Sequence, residues 1–165
     1  MTDALKVVPS TVEVASGVKK AAPIAAALSD VLSDTYALTL KTHICHWNVE
    51  GPLFYAVHNL TEEQYEDMFA AADVLAERIR ALGHLTPMKI AGVLGENVVQ
   101  ELGDSPSAGD MCEALAHDHV RVAHRLHALI EIAEGQRDAV TADLATARAA
   151  FHEKAAWMLR SLAAS

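Results

Sequence analysis

Residues 43–78 read HICHWNVEGPLFYAVHNLTEEQYEDMFAAADVLAER. Gly51-Pro52 breaks this stretch in two, because the pair favours a turn and cannot continue a helix. Upstream, Ile24, Leu28, Val31, Thr35, Leu38, Thr42 and Cys45 recur at alternating spacings of four and three. That is one face of an amphipathic helix, predicted over 21–49 with Pro23 in its first turn. Downstream, a second long helix is predicted from Leu53 to Leu82. A turn this short folds the two helices side by side.

The rest of the chain repeats the pattern. Gly83 is a suitable terminator for the second helix, and Arg78 and Arg80 suit its negative end. Residues 84–104 carry Pro87, Gly92, Gly95 and Gly103 and read as a connector with one short helix. Ser105-Pro106 opens a third helix to Glu134, and Gly135 ends it. Thr141 is expected to cap a fourth helix to Leu162, with Asp143 in its first turn. Four long helices with one long connection, placed between the second and third, make an all-α, ferritin-like four-helix bundle. Residues 1–20 read as a flexible N-terminal tail and residues 21–165 as the bundle domain.

Composition narrows the function. The 165 residues hold 22 acidic side chains against 13 Lys and Arg, a net charge of −9. That argues against a body that wraps nucleic acid electrostatically. No apolar run approaches the ~18 residues of a membrane span. Cys45 and Cys112 allow one disulfide at most and form no CxxC motif. With no basic region followed by an apolar stretch at the N-terminus, the expectation is a cytoplasmic protein with reduced thiols.

Residues 43–78 also carry the chemistry. His58 and Glu62 are i,i+4 neighbours, and so are Asp73 and Glu77. At ~100° per residue the four fall within an arc of roughly 100°, one stripe of the second helix. From Glu62 to Asp73 is eleven residues, about 16 Å of helix at 1.5 Å each. A metal–ligand bond is only ~2 Å long, so the two pairs on one helix cannot share an ion. Either each pair has its own partners, or the upper pair of one chain meets the lower pair of another, as an antiparallel two-fold contact arranges. His46, at the end of the first helix, can join His58 across the turn. A mixed imidazole and carboxylate set suits iron, manganese or zinc.

His46-Trp47-Asn48, followed by Gly51, Phe54, His58, Tyr65, Asp73 and Ala76-Glu77-Arg78, resembles the signature of the Dps family, the DNA-protection-during-starvation mini-ferritins. Thr141-Ala142-Asp143-Leu144, Glu153-Lys154 and Trp157-Met158-Leu159 resemble that family's fourth helix, so the resemblance covers nearly the whole chain. It implies a hollow dodecameric shell with ferroxidase centres between two-fold-related subunits. His46, His58 and Glu62 would come from one chain and Asp73 and Glu77 from its partner. Glu62 stands where many members carry Asp, which changes ligand length but not ligand type. The resemblance further implies two Fe²⁺ per site; by ligand type, zinc can substitute. The resemblance also implies oxidation by hydrogen peroxide, storage as ferric mineral, and protection of DNA. Trp47 would lie close to the iron and take up an oxidising equivalent, with simple packing as the alternative role.

The resemblance also places ion-entry pores near the start of the fourth helix, where Asp143 matches a pore carboxylate and Glu134 and Asp138 are close by. The alternative reading of the chain is a nucleoid-associated, DNA-condensing stress protein with weak ferroxidase activity. Its contacts would be Lys6, Lys19 and Lys20, the basic residues of the tail. A bacterioferritin-type di-iron site inside one bundle is disfavoured, because no Glu-x-x-His occurs at the inward positions. His43 is expected to pack or hydrogen-bond. His117, His124 and His127 share a face of the third helix, which also carries His119. His84 and His152 read as ordinary polar residues, and Cys45 and Cys112 as small core side chains.

Overall fold

The computed structural model describes residues 4–164. After a single 3-10 turn at Ala4–Lys6, the elements are α1 (Ala21–Asn48), α2 (Phe54–Ala81), α3 (Ile90–Val93), α4 (Ala108–Gly135) and α5 (Ala139–Ala163). The expected four long helices are present, and the short helix of the crossover is α3. Residues 1–3 of the expected tail and Ser165 lie outside the described residues.

Two helical hairpins, α1–α2 and α4–α5, pack together mainly through α1 and α4. Each residue of the stripe that predicted α1 is buried, from Ile24 to Cys45. From the other helices come Met68, Leu75 and Ile79 of α2, Leu115, Val122, Leu126 and Leu129 of α4, and Leu159 of α5. Thr35, Thr39 and Thr42 sit on the buried side of α1 because each hydroxyl donates to a carbonyl four residues back. That leaves no unpaired buried donor at these positions. Cys45 and Cys112 are buried free thiols, and burial pushes both upward in pKa, Cys45 to about 11.

The long connector is strapped down by two buried carboxylates. Asp34 on α1 accepts the Val98 N–H at 2.9 Å, and Asp118 on α4 accepts the Gln100 N–H at 3.2 Å. Asp118 also holds Lys41 of α1 at 2.5 Å and pairs with Arg121. Asp34 is less well matched. Burial pushes its carboxyl up to about 6 against the pull of Val98 and Arg125, with Asp30 adding a smaller upward push.

Two helix starts differ in detail from expectation. Ser107, not Ser105, caps α4, in a reciprocal capping box with Asp110. Asp138, not Thr141, caps α5, and accepts the Thr141 N–H at 3.0 Å. The helix therefore begins at Ala139, and Asp143 lies beyond its first turn. At the end of α4, Gly135 is still helical and Arg137 takes the left-handed conformation, φ 61°. A spare acid one turn before Thr141 explains the shift, since a carboxylate caps at least as well as a hydroxyl.

The second half of the expected tail is tied to the bundle. The Val12 N–H donates to Gly83 O at 2.8 Å, and the Lys19 N–H to Gln136 O at 2.9 Å. Gly83 follows α2 with φ +83°, and a Cβ there would stand 2.1 Å from Val12 O. Both the backbone conformation and the close approach require glycine.

Two mutations test these points. Asp138 is 2% exposed and also binds Arg78 of α2. Asp138→Ala removes a cap and leaves a half-buried guanidinium without its acid, so a loss of about 3 kcal/mol is expected in urea unfolding. Gly83→Ala is expected to release residues 12–20, read as faster limited proteolysis there and a loss of about 1–2 kcal/mol.

Candidate metal centre

The turn at 49–53 brings the end of α1 against the start of α2. The His46 and His58 rings stack there, centroids 3.7 Å apart and 18° from parallel. His46 Nδ1 donates to His58 O at 2.9 Å, and His58 Nδ1 donates to His46 O at 3.0 Å. A carbonyl can only accept, so each Nδ1 carries a proton, and in the neutral ring the Nε2 lone pair is free. Reciprocal backbone contacts thus set the tautomer and orientation of each ring before any ligand arrives, as in metal-ligating histidines. Thr61 lies 3.3 Å from His46 Nδ1, and the Phe54 ring stacks on His58.

An aromatic group borders the pair. Tyr65 meets His46 edge-on with centroids 5.2 Å apart. It also lies 3.9 Å from His43, which stacks on Trp47 at 5.1 Å. Desolvation, the charges of Glu62 and Glu66 and a hydrogen bond with Glu62 raise the Tyr65 hydroxyl pKa. His43 is lowered, by desolvation and then by His46. His43 is therefore the link between Trp47 and Tyr65, while His46 is paired with His58. Spacing could have shown Tyr65's place, since it follows His58 by seven residues and Glu62 by three, on the same face of α2. Trp47 itself is 64% exposed.

Glu62, Asp73 and Glu77 are exposed on α2. Among the described residues, no three His, Cys, Asp or Glu side chains of one chain converge to hold an ion. His46 of α1 and His58 of α2 meet at the turn, Glu62 follows His58 by one helical turn, and Asp73 and Glu77 stand farther along α2. Leu40, Ile44, Trp47, Phe54 and Tyr55 are well exposed around the α1–α2 turn, and Val74 beside Asp73.

The expected ion-entry residues separate. Glu134 and Asp143 line one depression at the α4–α5 corner, together with Arg137 and Thr146. Asp138 borders it too, but its carboxylate is engaged by Arg78 at 2.7 Å and by Thr141. Burial alone would raise its pKa, yet the hydrogen bonds from Arg78 and Thr141 hold it below the usual range. Its geometry is that of a structural cap. Of the three lysines expected to meet DNA, Lys19 directs its ammonium at the Gly135 carbonyl, 3.5 Å away at the negative end of α4. Lys6 and Lys20 are on the surface. His127 pairs with Glu153 at 2.9 Å on the surface. His119 and His152 are wholly buried, which corrects the ordinary polar role expected of His152.

Comparison with known proteins follows the same lines. Residues 25–165 match the family model for the ferritin-like domain. The DNA protection during starvation protein of Brevibacillus brevis is 32% identical over 138 residues, covering 84% of this chain and 93% of its own.

This chain belongs to the Dps family.

The crystal structure of Dps from Staphylococcus aureus superposes with a TM-score of 0.81 at 30% identity, covering 85% of this chain and 94% of that one. Dps from Vibrio cholerae O1, described as a member of a broad superfamily of ferritin-like diiron-carboxylate proteins, gives 0.79 at 28% identity, covering 86% and 89%. The Dps fold thus accounts for the two hairpins and the crossover. No helix is long and apolar enough to cross a membrane among the described residues.

The ring geometry sets His46 and His58, bonded to each other's backbone, apart from His43, which packs between Trp47 and Tyr65. His46→Ala and His58→Ala are each expected to weaken anaerobic Fe²⁺ binding by tenfold or more. His43→Ala should stay within about threefold. Titration of the metal-free protein with Fe²⁺ would show this, and equal losses in all three would contradict the assignment.

Proposed function

We propose that this Dps-family chain oxidises Fe²⁺ at sites shared between two subunits and stores the product as ferric mineral inside a hollow dodecameric shell. The observation that carries this reading is the reciprocal His46–His58 lock, which leaves both Nε2 lone pairs free. Glu62 adds a carboxylate on the same face. In an antiparallel dimer, the partner's Asp73 and the partner's Glu77 complete the set, and the symmetry operation generates two equal sites. The exposed apolar side chains of α1 and α2 provide the contact that holds the two copies together.

Iron is the substrate. Two Fe²⁺ bind at each site, and zinc occupies it as a competing ion. Carboxylates suit a hard cation in both oxidation states, while neutral imidazoles suit the ferrous one. With hydrogen peroxide as oxidant, two Fe²⁺ give up one electron each, the O–O bond breaks, and two protons complete two waters: 2 Fe²⁺ + H₂O₂ + 2 H⁺ → 2 Fe³⁺ + 2 H₂O. A two-electron reduction releases no hydroxyl radical. Tyr65 and Trp47 stand beside the ligands, where an aromatic ring can supply an electron if only one Fe²⁺ is bound. Glu134 and Asp143 draw Fe²⁺ toward the shell by their field.

DNA is protected in this reading by removal of Fe²⁺ and peroxide in the cytoplasm. Direct DNA binding draws less support, because the charge of −9 opposes phosphate and the Lys19 ammonium is already turned to α4.

Mixed shells test the shared site. Chains carrying His58→Ala and chains carrying Asp73→Ala are each expected to lack rapid peroxide-driven Fe²⁺ oxidation. Co-assembled in equal amounts, they should recover about a quarter of the wild-type fast phase, because that fraction of sites draws both halves from intact sources. No recovery would mean that each chain uses its own residues alone. Rapid oxidation in both single variants would overturn the site itself.

A further inference from the structure

Away from the metal centre, the α4–α5 seam encloses two imidazoles. His119 of α4 and His152 of α5 are 0% and 1% exposed, and their Nδ1 atoms lie 2.8 Å apart. A hydrogen bond between two ring nitrogens needs one proton: two would set N–H against N–H, and none would set lone pair against lone pair. The buried Nε2 of His119 has no partner. An orphaned N–H costs more in a protein interior than an orphaned lone pair, so His119 carries its proton on Nδ1 and donates it to His152. His152 then carries its own proton on Nε2.

The surroundings have no place for a further proton. Phe151 meets both rings edge-on, with centroids 6.1 Å from His119 and 5.1 Å from His152. Arg148, also on α5, lies over the Phe151 ring at 4.3 Å. From α2, Asp67 faces this group but is bonded to Arg148 at 2.6 Å. From α1, Lys41 is held by Asp118, the neighbour of His119 on α4, which also takes Arg121. Among the described residues, no carboxylate bonds either imidazole. A further proton would therefore be buried beside a guanidinium with no acceptor to meet it: on His152 Nδ1 it would face the His119 N–H, and on His119 Nε2 it would point at no partner.

We propose that the His119–His152 pair is an acid-operated latch: it closes the α4–α5 seam while the two rings share one proton, and a second proton loosens that seam. Burial and the nearby Arg148 keep His119 neutral down to about pH 3, and burial, His119 and Arg148 act the same way on His152. In an opened chain both rings take up protons below about pH 6.5. The stabilisation is thus fully present above that pH and is lost as pH falls. Between pH 6.5 and 5.5 each ring multiplies the opening equilibrium by about five, and both together by about thirty, approaching about tenfold per ring and unit at lower pH.

Hydrogen exchange of the assembled full-length protein tests the latch. Amides in 115–123 and 148–156 are followed at pH 7.5, 6.5 and 5.5, corrected for intrinsic exchange rates. The wild type should open at least tenfold more between pH 6.5 and 5.5 in these segments. The double variant His119→Leu with His152→Leu should lose that dependence. Parallel pH profiles in the two proteins would overturn the proposal. If the double variant does not fold, His119→Asn serves, because its amide nitrogen stands where Nδ1 stood and can still donate to His152 while only one titrating ring remains. It should show about half the wild-type pH slope, and an unchanged slope would be decisive against the latch.

Discussion

About 16 Å of helix separates Glu62 from Asp73 on α2, and this distance governs how the molecule can work. A rigid helix cannot bend its own ligands together over that span. In the proposed site, the His58–Glu62 end of α2 is therefore completed by a second copy. Exposed apolar residues of α1 and α2 cluster at the His58 end of this stripe, with Val74 beside Asp73. In the proposed reading assembly and chemistry become one requirement, since the apolar surface that would join two copies also borders the proposed half-site.

Preorganisation of the His46–His58 pair comes from the turn between α1 and α2. His46 and His58 bond to each other's backbone carbonyls, so each ring is oriented by the element that carries the other. Displacing either helix end would disturb both rings at once. The aromatic cluster of His43, Trp47 and Tyr65 lies against this arrangement. The imidazole pair in the α4–α5 seam shows the opposite use of the same side chain. His46 and His58 keep their Nε2 lone pairs available for a ligand, whereas His119 and His152 direct nitrogen at nitrogen and are closed to one.

Acidic side chains show a similar division of labour. Asp34 and Asp118 strap the connector to the bundle through backbone N–H groups. Asp138 caps α5 and anchors Arg78. Glu134 and Asp143 have neither task and share an open depression. Of the acids near the start of α5, the one that looked equivalent to its neighbours in sequence is the one withdrawn into structure. A charged side chain reaches full burial only when its hydrogen bonds are supplied, and Arg78 and Thr141 supply them.

Much of this was legible in residue order. The four-and-three spacing from Ile24 to Cys45, the break at Gly51-Pro52 and the glycine-rich connector determined the helices and their succession. Periodicity along one helix also established which of His58, Glu62, Asp73 and Glu77 share a face, because helical geometry is local. Tertiary structure decided what depends on groups distant in the chain. It assigned the cap of α5 to Asp138, tied residues 12–20 to Gly83 and Gln136, and turned Lys19 toward the end of α4. It also joined His119 to a partner 33 residues away. The burial and protonation of an imidazole depend on what packs against it, and no local spacing specifies that neighbour.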